Sequence, residues 1–148
     1  MPSDFPAKIV IHHSLTPDSG TVSWGAIRRY HTSPPPDGPP YGPYSDIGYH
    51  AGTELVYTEY ETFIGRPWDK IGAHTKGQND KSLGFLFVGN YDLEPPPKRM
   101  LEVGAKTIAL WMRLFNIPKD KIFRHSDFAN YKSCPGVEFD IEELKKWL

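Results

Sequence analysis

The sequence predicts an α/β (α+β) fold in which a single domain holds a central mixed β-sheet flanked by helices. Three observations carry that expectation. Short β-branched and apolar runs, KIVIHH at Lys8 to His13 and LGFLFV at Leu83 to Val88, have strand length and strand composition. The stretch from Lys98 to Phe115 instead repeats its apolar residues at steps of four, three, four and three, through Leu101, Ala105, Ile108, Met112 and Phe115. Strand-like and helix-like segments alternate along 148 residues, a length that suits one compact core from residue 1 to residue 148.

Taken in order, Lys8 to His13 lies between Pro6 and Thr16-Pro17 and reads as a buried strand ending in two adjacent histidines. Ser23 is placed to cap a helix carrying Trp24, Ile27 and Tyr30. Six prolines between Ser33 and Tyr44 exclude helix there and make a surface loop, with Tyr41 and Tyr44 set among them. Ile47 to Ile64 reads as two extended segments, a hairpin, closed by the Gly65-Arg66-Pro67 turn. Leu83 to Val88, apolar throughout, is expected at the centre of the sheet with both faces covered. Pro95, Pro96 and Pro97 open the long helix, whose stripe Trp111 and Leu114 would widen. Ile122-Phe123 reads as a short edge strand, and Asp140 to Leu148 as a terminal amphipathic helix using Ile141, Leu144 and Trp147.

Composition narrows the function classes. With 39% hydrophobic and 14% aromatic residues the bulk of the chain is not disordered. Seventeen basic against eighteen acidic residues leave a charge of -1, so no nucleic-acid partner is expected. No run approaches the roughly 20 apolar residues that cross a bilayer, and Met1 to Ala7 lacks the basic and apolar regions of a secretory signal. The expectation is a protein made in the cytoplasm without a signal peptide, with no membrane partner. One cysteine, Cys134, excludes an internal disulfide and leaves a thiol that is buried, reactive or metal-bound.

Six histidines and that cysteine are the inventory of soft metal donors. A catalytic zinc takes three protein ligands from N and S donors and keeps a fourth position open. His12 or His13, His125 and Cys134 could supply such a set. Adjacent strand residues face opposite sides of a sheet, so only one of His12 and His13 can enter a common site.

The motifs VIHHS, DIGYH at Asp46 to His50, GRPWDKIGAHTKGQNDKSLGFLFVGNYD at Gly65 to Asp92, and RHSDF followed by KSCPG occur in this order. In them the chain resembles the zinc-dependent N-acetylmuramoyl-L-alanine amidases of the phage-lysozyme and peptidoglycan-recognition-protein type, from about Lys8 to the C-terminus. The resemblance implies one zinc ion per chain held by His12, His125 and Cys134, leaving His13 on the other face or in a supporting role. It matches Tyr49 and Lys132 to the family's assisting groups, a phenol and an ammonium able to hydrogen-bond an oxyanion and relay protons. It places His74, Thr75 and Asn79 where the family lines its groove for the peptidoglycan stem peptide.

The implied function is hydrolysis of the amide between N-acetylmuramic acid and L-alanine of peptidoglycan by a phage or prophage endolysin-type lytic enzyme acting on the bacterial wall after release. It would be monomeric, without a separate wall-binding domain. A bacterial wall-recycling amidase is the second enzymatic reading. A non-catalytic peptidoglycan-binding module is a third; binding-only relatives commonly lose the cysteine ligand, which is present here. Some relatives carry a glutamate base in the strand matching GFLFVG, where this chain has Leu86, so a carboxylate mechanism is not expected. The segment between His50 and Gly65 lacks the usual DG turn, and the loop from His125 to Cys134 is one residue longer than in most relatives.

Overall fold

The computed structural model describes residues 4–18 and 23–148. Met1 to Ser3, the start of the segment read for a secretory signal, lie outside the described residues. Five strands form one sheet: β1 (Lys8–His13), β2 (Ala51–Val56), β3 (Glu59–Ile64), β4 (Ser82–Phe87) and β5 (Ile122–Arg124). Their order is β3-β2-β4-β1-β5. β2 and β3 are the expected antiparallel hairpin, while β4 runs parallel to both β2 and β1, and β1 parallel to β5, so the sheet is mixed. β4 occupies the centre and is buried along its whole length, as its unbroken apolar run requires.

The parallel register Ile9↔Leu83, Ile11↔Phe85 and His13↔Phe87 puts these residues on one face. Helix α2 (Lys98–Phe115) covers that face through Leu101, Ala105, Ile108 and Trp111, all buried in the same core cluster. The opposite face carries Val10 and His12 from β1 with Gly84 and Leu86 from β4. Helix α1 (Trp24–Thr32) packs there, with Trp24, Leu86, Ile47 and Val88 forming a second cluster. Trp24 fits because β2 has glycine beneath it: a Cβ at Gly52 would lie 2.5 Å from the Trp24 ring.

The structure corrects three details. The start of α1 is capped by a carboxylate from another element: Glu54 of β2, fully buried, accepts the N–H groups of Ser23 (2.7 Å) and Trp24 (3.2 Å). Leu114 is 57% exposed, because it falls one position off the stripe that faces the sheet. The last helix, α3, spans only Ile141–Lys145; Asp140 caps it by accepting the Glu142 N–H, Leu144 is buried, and Trp147 lies beyond the helix and largely in solvent. Residues 33–44 form neither helix nor strand, as the prolines dictate. Among the described residues no helix is long and apolar enough to cross a membrane.

Candidate metal centre

The site lies at the C-terminal end of β1, where the strand delivers two histidines to opposite faces. His12 is 1% exposed and points to the α1 side; His13 points to the α2 side, where its Nδ1 accepts the Tyr91 N–H at 3.2 Å. His125 opens a short 3-10 turn directly after β5, the neighbour of β1, so sheet order alone brings it beside His12 with ring centroids 4.7 Å apart. Cys134 returns at the end of the following loop, its Sγ 3.7 Å from His12 Nδ1. One ligand atom from each of His12, His125 and Cys134 falls within a mutual 4.8 Å. This is the trio the resemblance implied, with His12 as its strand histidine.

The donor set fits zinc. Tetrahedral bonds of about 2.05 Å to nitrogen and 2.3 Å to sulfur put those atoms about 3.6 Å apart, close to the 3.7 Å between His12 Nδ1 and Cys134 Sγ. Both imidazoles are kept neutral and hence able to ligate. Burial pulls His12 well below the ordinary histidine range, helped by His74 and His125. Burial and then the Lys132 charge bring His125 down to about 4. Burial pushes the Cys134 thiol up to about 11, opposed by the backbone N–H of His13, which donates to Sγ at 3.4 Å. Binding a metal there would expel the thiol proton, and the His13 N–H is positioned to stabilise the resulting thiolate.

The long interval between His125 and Cys134 is closed by two side chains the sequence did not single out. Arg124 donates to the carbonyls of Phe139 and, at 2.7 Å, Gly136, and its Nε reaches Ser126 Oγ. Asp92 accepts from Ser133 Oγ and the Val137 N–H, both at 2.9 Å. The Ser126 N–H donates to the Cys134 carbonyl at 2.9 Å, tying the two ligand-bearing ends together directly.

Around the trio opens a cleft of about 430 Å³ whose walls include Ser14, Tyr49 and Lys132. The Tyr49 ring lies 5.1 Å from that of His12, and burial raises its phenol above the usual tyrosine range, so it stays protonated. Its backbone is held directly and through its neighbours: the Arg66 N–H donates to the Tyr49 carbonyl at 2.9 Å, the Arg66 side chain donates to the Ile47 carbonyl, and the Gly48 N–H donates to His31 Nδ1 of α1 at 2.8 Å. Lys132 is exposed on the cleft wall. Leu86 is fully buried, and no carboxylate lines the cleft among the described residues.

The other three expected site residues sit behind and beside the trio. His74 Nδ1 is 2.9 Å from His12 Nε2, and Thr75, 1% exposed, places its hydroxyl 2.9 Å from His74 Nδ1 and 3.3 Å from His12 Nε2. Asn79 Oδ1 accepts the N–H groups of both His74 and Thr75, fixing the turn. His74 and Asn79 also line a shallow recess with Tyr41, Tyr44 and Lys76, so the proline-rich loop reaches this side of the molecule. The close seat of His74 had a signal in the sequence. Gly84 lies within the apolar run of β4, and a Cβ there would come within 2.6 Å of the His74 ring.

The chain is similar to known proteins in both sequence and fold. A family profile described as N-acetylmuramoyl-L-alanine amidase matches residues 2–137. Peptidoglycan-recognition protein LB of Drosophila melanogaster is 32% identical over 108 residues, which are 70% of this chain and 43% of that protein, so the match spans less than half the length of that relative. The endolysin of Enterobacteria phage K11 is 28% identical over 145 residues, 96% of this chain and 85% of the endolysin. Among solved structures, the N-acetylmuramoyl-L-alanine amidase LysC from Clostridium intestinale superposes with a TM-score of 0.76 at 26% identity, covering 95% of this chain and 83% of that one.

Proposed function

This chain belongs to the N-acetylmuramoyl-L-alanine amidase family, and from that premise we propose that it is a zinc-dependent peptidoglycan hydrolase cleaving the amide between N-acetylmuramic acid and L-alanine. The observation that carries the reading is the convergence of His12, His125 and Cys134 within 4.8 Å at the wall of an open cleft. Retention of the thiol supports hydrolysis over binding alone. Likeness to a phage endolysin along nearly the whole chain supports a lytic role on the bacterial wall.

His12, His125 and Cys134 would hold the zinc, and a zinc ion there supplies a Lewis acid that activates water and polarises the amide carbonyl. The chain's own groups do the rest. Tyr49, protonated across the physiological range, offers an O–H to the oxyanion that develops as the carbonyl is attacked. Lys132 brings an ammonium to the same cleft, where it would stabilise that charge and pass a proton to the departing amine. A carboxylate base is not part of this reading, since no carboxylate lines the cleft among the described residues. The recess of Tyr41, Tyr44, Lys76, His74 and Asn79 would receive part of the stem peptide.

The test is metal analysis of the purified protein, followed by mass spectrometry of peptidoglycan fragments after digestion. One zinc per chain and release of stem peptides with a free L-alanine amino group are expected. Absence of zinc, or a Cys134→Ser variant as active as the wild type, would sink the reading.

A further inference from the structure

A metal ligand is only as well oriented as the group on its other ring nitrogen, and in this chain that group is a second histidine whose own protonation is dictated by the backbone. His74 Nε2 faces the Ser82 carbonyl at 3.4 Å. A carbonyl can only accept, so the proton of His74 belongs on Nε2 and its Nδ1 carries a lone pair. That lone pair lies 2.9 Å from His12 Nε2, which must then be the protonated, donating nitrogen. Nδ1 of His12 is left bare, and it is Nδ1 that faces Cys134 Sγ. From Ser82 through His74 to His12, one carbonyl thus selects the tautomer that presents the correct nitrogen to the metal.

We propose that His74 is a positioning residue for the zinc centre, holding His12 in the Nε2–H tautomer with Nδ1 aimed at the metal, with Thr75 and Gly84 completing its seat. The assignment rests on the proposed zinc site. Thr75 Oγ1 lies within reach of both rings and fills the angle between them. Gly84 leaves room for the His74 ring against β4, and the Val10↔Gly84 and His12↔Leu86 register sets that ring on the same sheet face as His12. Asn79 fixes the backbone of both His74 and Thr75. The ring is therefore held from the sheet below, from the turn beside it and from its own backbone, which is the arrangement that orienting partners of metal-bound histidines require.

The experiment uses the full chain stripped of zinc. Long-range proton–nitrogen spectra report which nitrogen of His12 carries the proton, and competition with a chromophoric chelator reports zinc affinity. In the zinc-free wild type the proton of His12 is expected on Nε2. His74→Ala is expected to weaken zinc binding about 10- to 100-fold and to leave His12 a mixture of tautomers. His74→Asn, whose amide oxygen can take the place of Nδ1 as acceptor, should recover most of the affinity. A folded His74→Ala protein binding zinc within twofold of wild type, with only its KM for peptidoglycan raised, overturns the assignment. So does a wild-type spectrum with the His12 proton on Nδ1, a result available even if His74→Ala fails to fold. A wild type that binds no zinc at all refutes the hydrolase reading and with it the zinc-positioning role, while the zinc-free spectrum still decides whether His74 sets the tautomer of His12.

Discussion

His50 makes a quantitative prediction about acid sensitivity. It is fully buried, and both ring nitrogens are committed in the neutral form: Nε2–H donates to the Lys70 carbonyl at 2.7 Å, and Nδ1 accepts the Gly84 N–H at 3.0 Å. Burial pulls its pKa down to about 4, against the opposing bond to Lys70 and with help from Arg66. A second proton on Nδ1 would set two N–H groups against each other. Between the unfolded value of about 6.5 and the folded value, the unfolded chain binds a proton that the native one refuses, so stability is present above pH 6.5 and is lost as the pH falls. Linkage gives about 1.4 kcal/mol per pH unit in that window, or about 2 kcal/mol at pH 5.

The perturbation is His50→Gln, compared with wild type by urea unfolding in the presence of a zinc chelator, at pH 7.5 and at pH 5. The other five histidines are also shifted downward. They are common to both proteins and cancel to first order in the difference. At pH 7.5 the variant should be the less stable of the two, since Gln cannot satisfy both partners with the same geometry. At pH 5 that gap should narrow by about 2 kcal/mol, because only the wild type then carries the cost of an unprotonated His50. A gap that stays constant to within about 0.5 kcal/mol would show that His50 titrates normally in the fold, and the reasoning from its two hydrogen bonds would fail.

Three further outcomes follow from named contacts. Lys132→Ala should lower kcat by about 100-fold while zinc affinity changes less than twofold; steady-state kinetics beside a chelator titration separates the two, and a parallel loss of zinc would place Lys132 in metal binding instead. Arg124→Ala removes donors from the carbonyls of Gly136 and Phe139, and should cost about 1–3 kcal/mol in denaturant stability while weakening zinc binding, because Cys134 then loses its fixed distance from His125. Glu54→Ala removes the buried acceptor at the start of α1, with an expected loss of about 1–2 kcal/mol; a change below about 0.3 kcal/mol in thermal or chemical unfolding would show that this cap contributes nothing.

Legibility in the sequence tracked the range of the interaction. β4 was readable because a strand covered on both faces must be apolar throughout, and α2 because its stripe repeats over about four turns and the helix stops at Asn116, which adopts the left-handed conformation that ends helices. Leu114 misled because it is apolar and adjacent to a stripe, and Trp147 because it continues the spacing of Ile141 and Leu144 past the end of α3. The capping of α1 by Glu54 was unreadable for a different reason. Ser23 is a good local cap, but the acceptor came from a strand some thirty residues away, and no local rule anticipates it.

At the site the same division explains why identity and geometry were separable. Period-two alternation requires His12 and His13 to part company, yet their local sequence is symmetric, and only the α1-side face of the finished sheet holds His125, Cys134 and His74 together. Composition cannot see Arg124 and Asp92 because they act largely on backbone groups of their partners, leaving no complementary residue type to read. The same mode of attachment holds the loop between His125 and Cys134. Its two ends are fixed by Arg124, by Asp92 and by the Ser126 to Cys134 backbone bond, so an extra residue between them adds only a small closure entropy and need not move either ligand. The zinc trio therefore depends on how the ends of this loop are held, and substitutions at Arg124 and Asp92 should disturb it more than a change of length at the loop's tip.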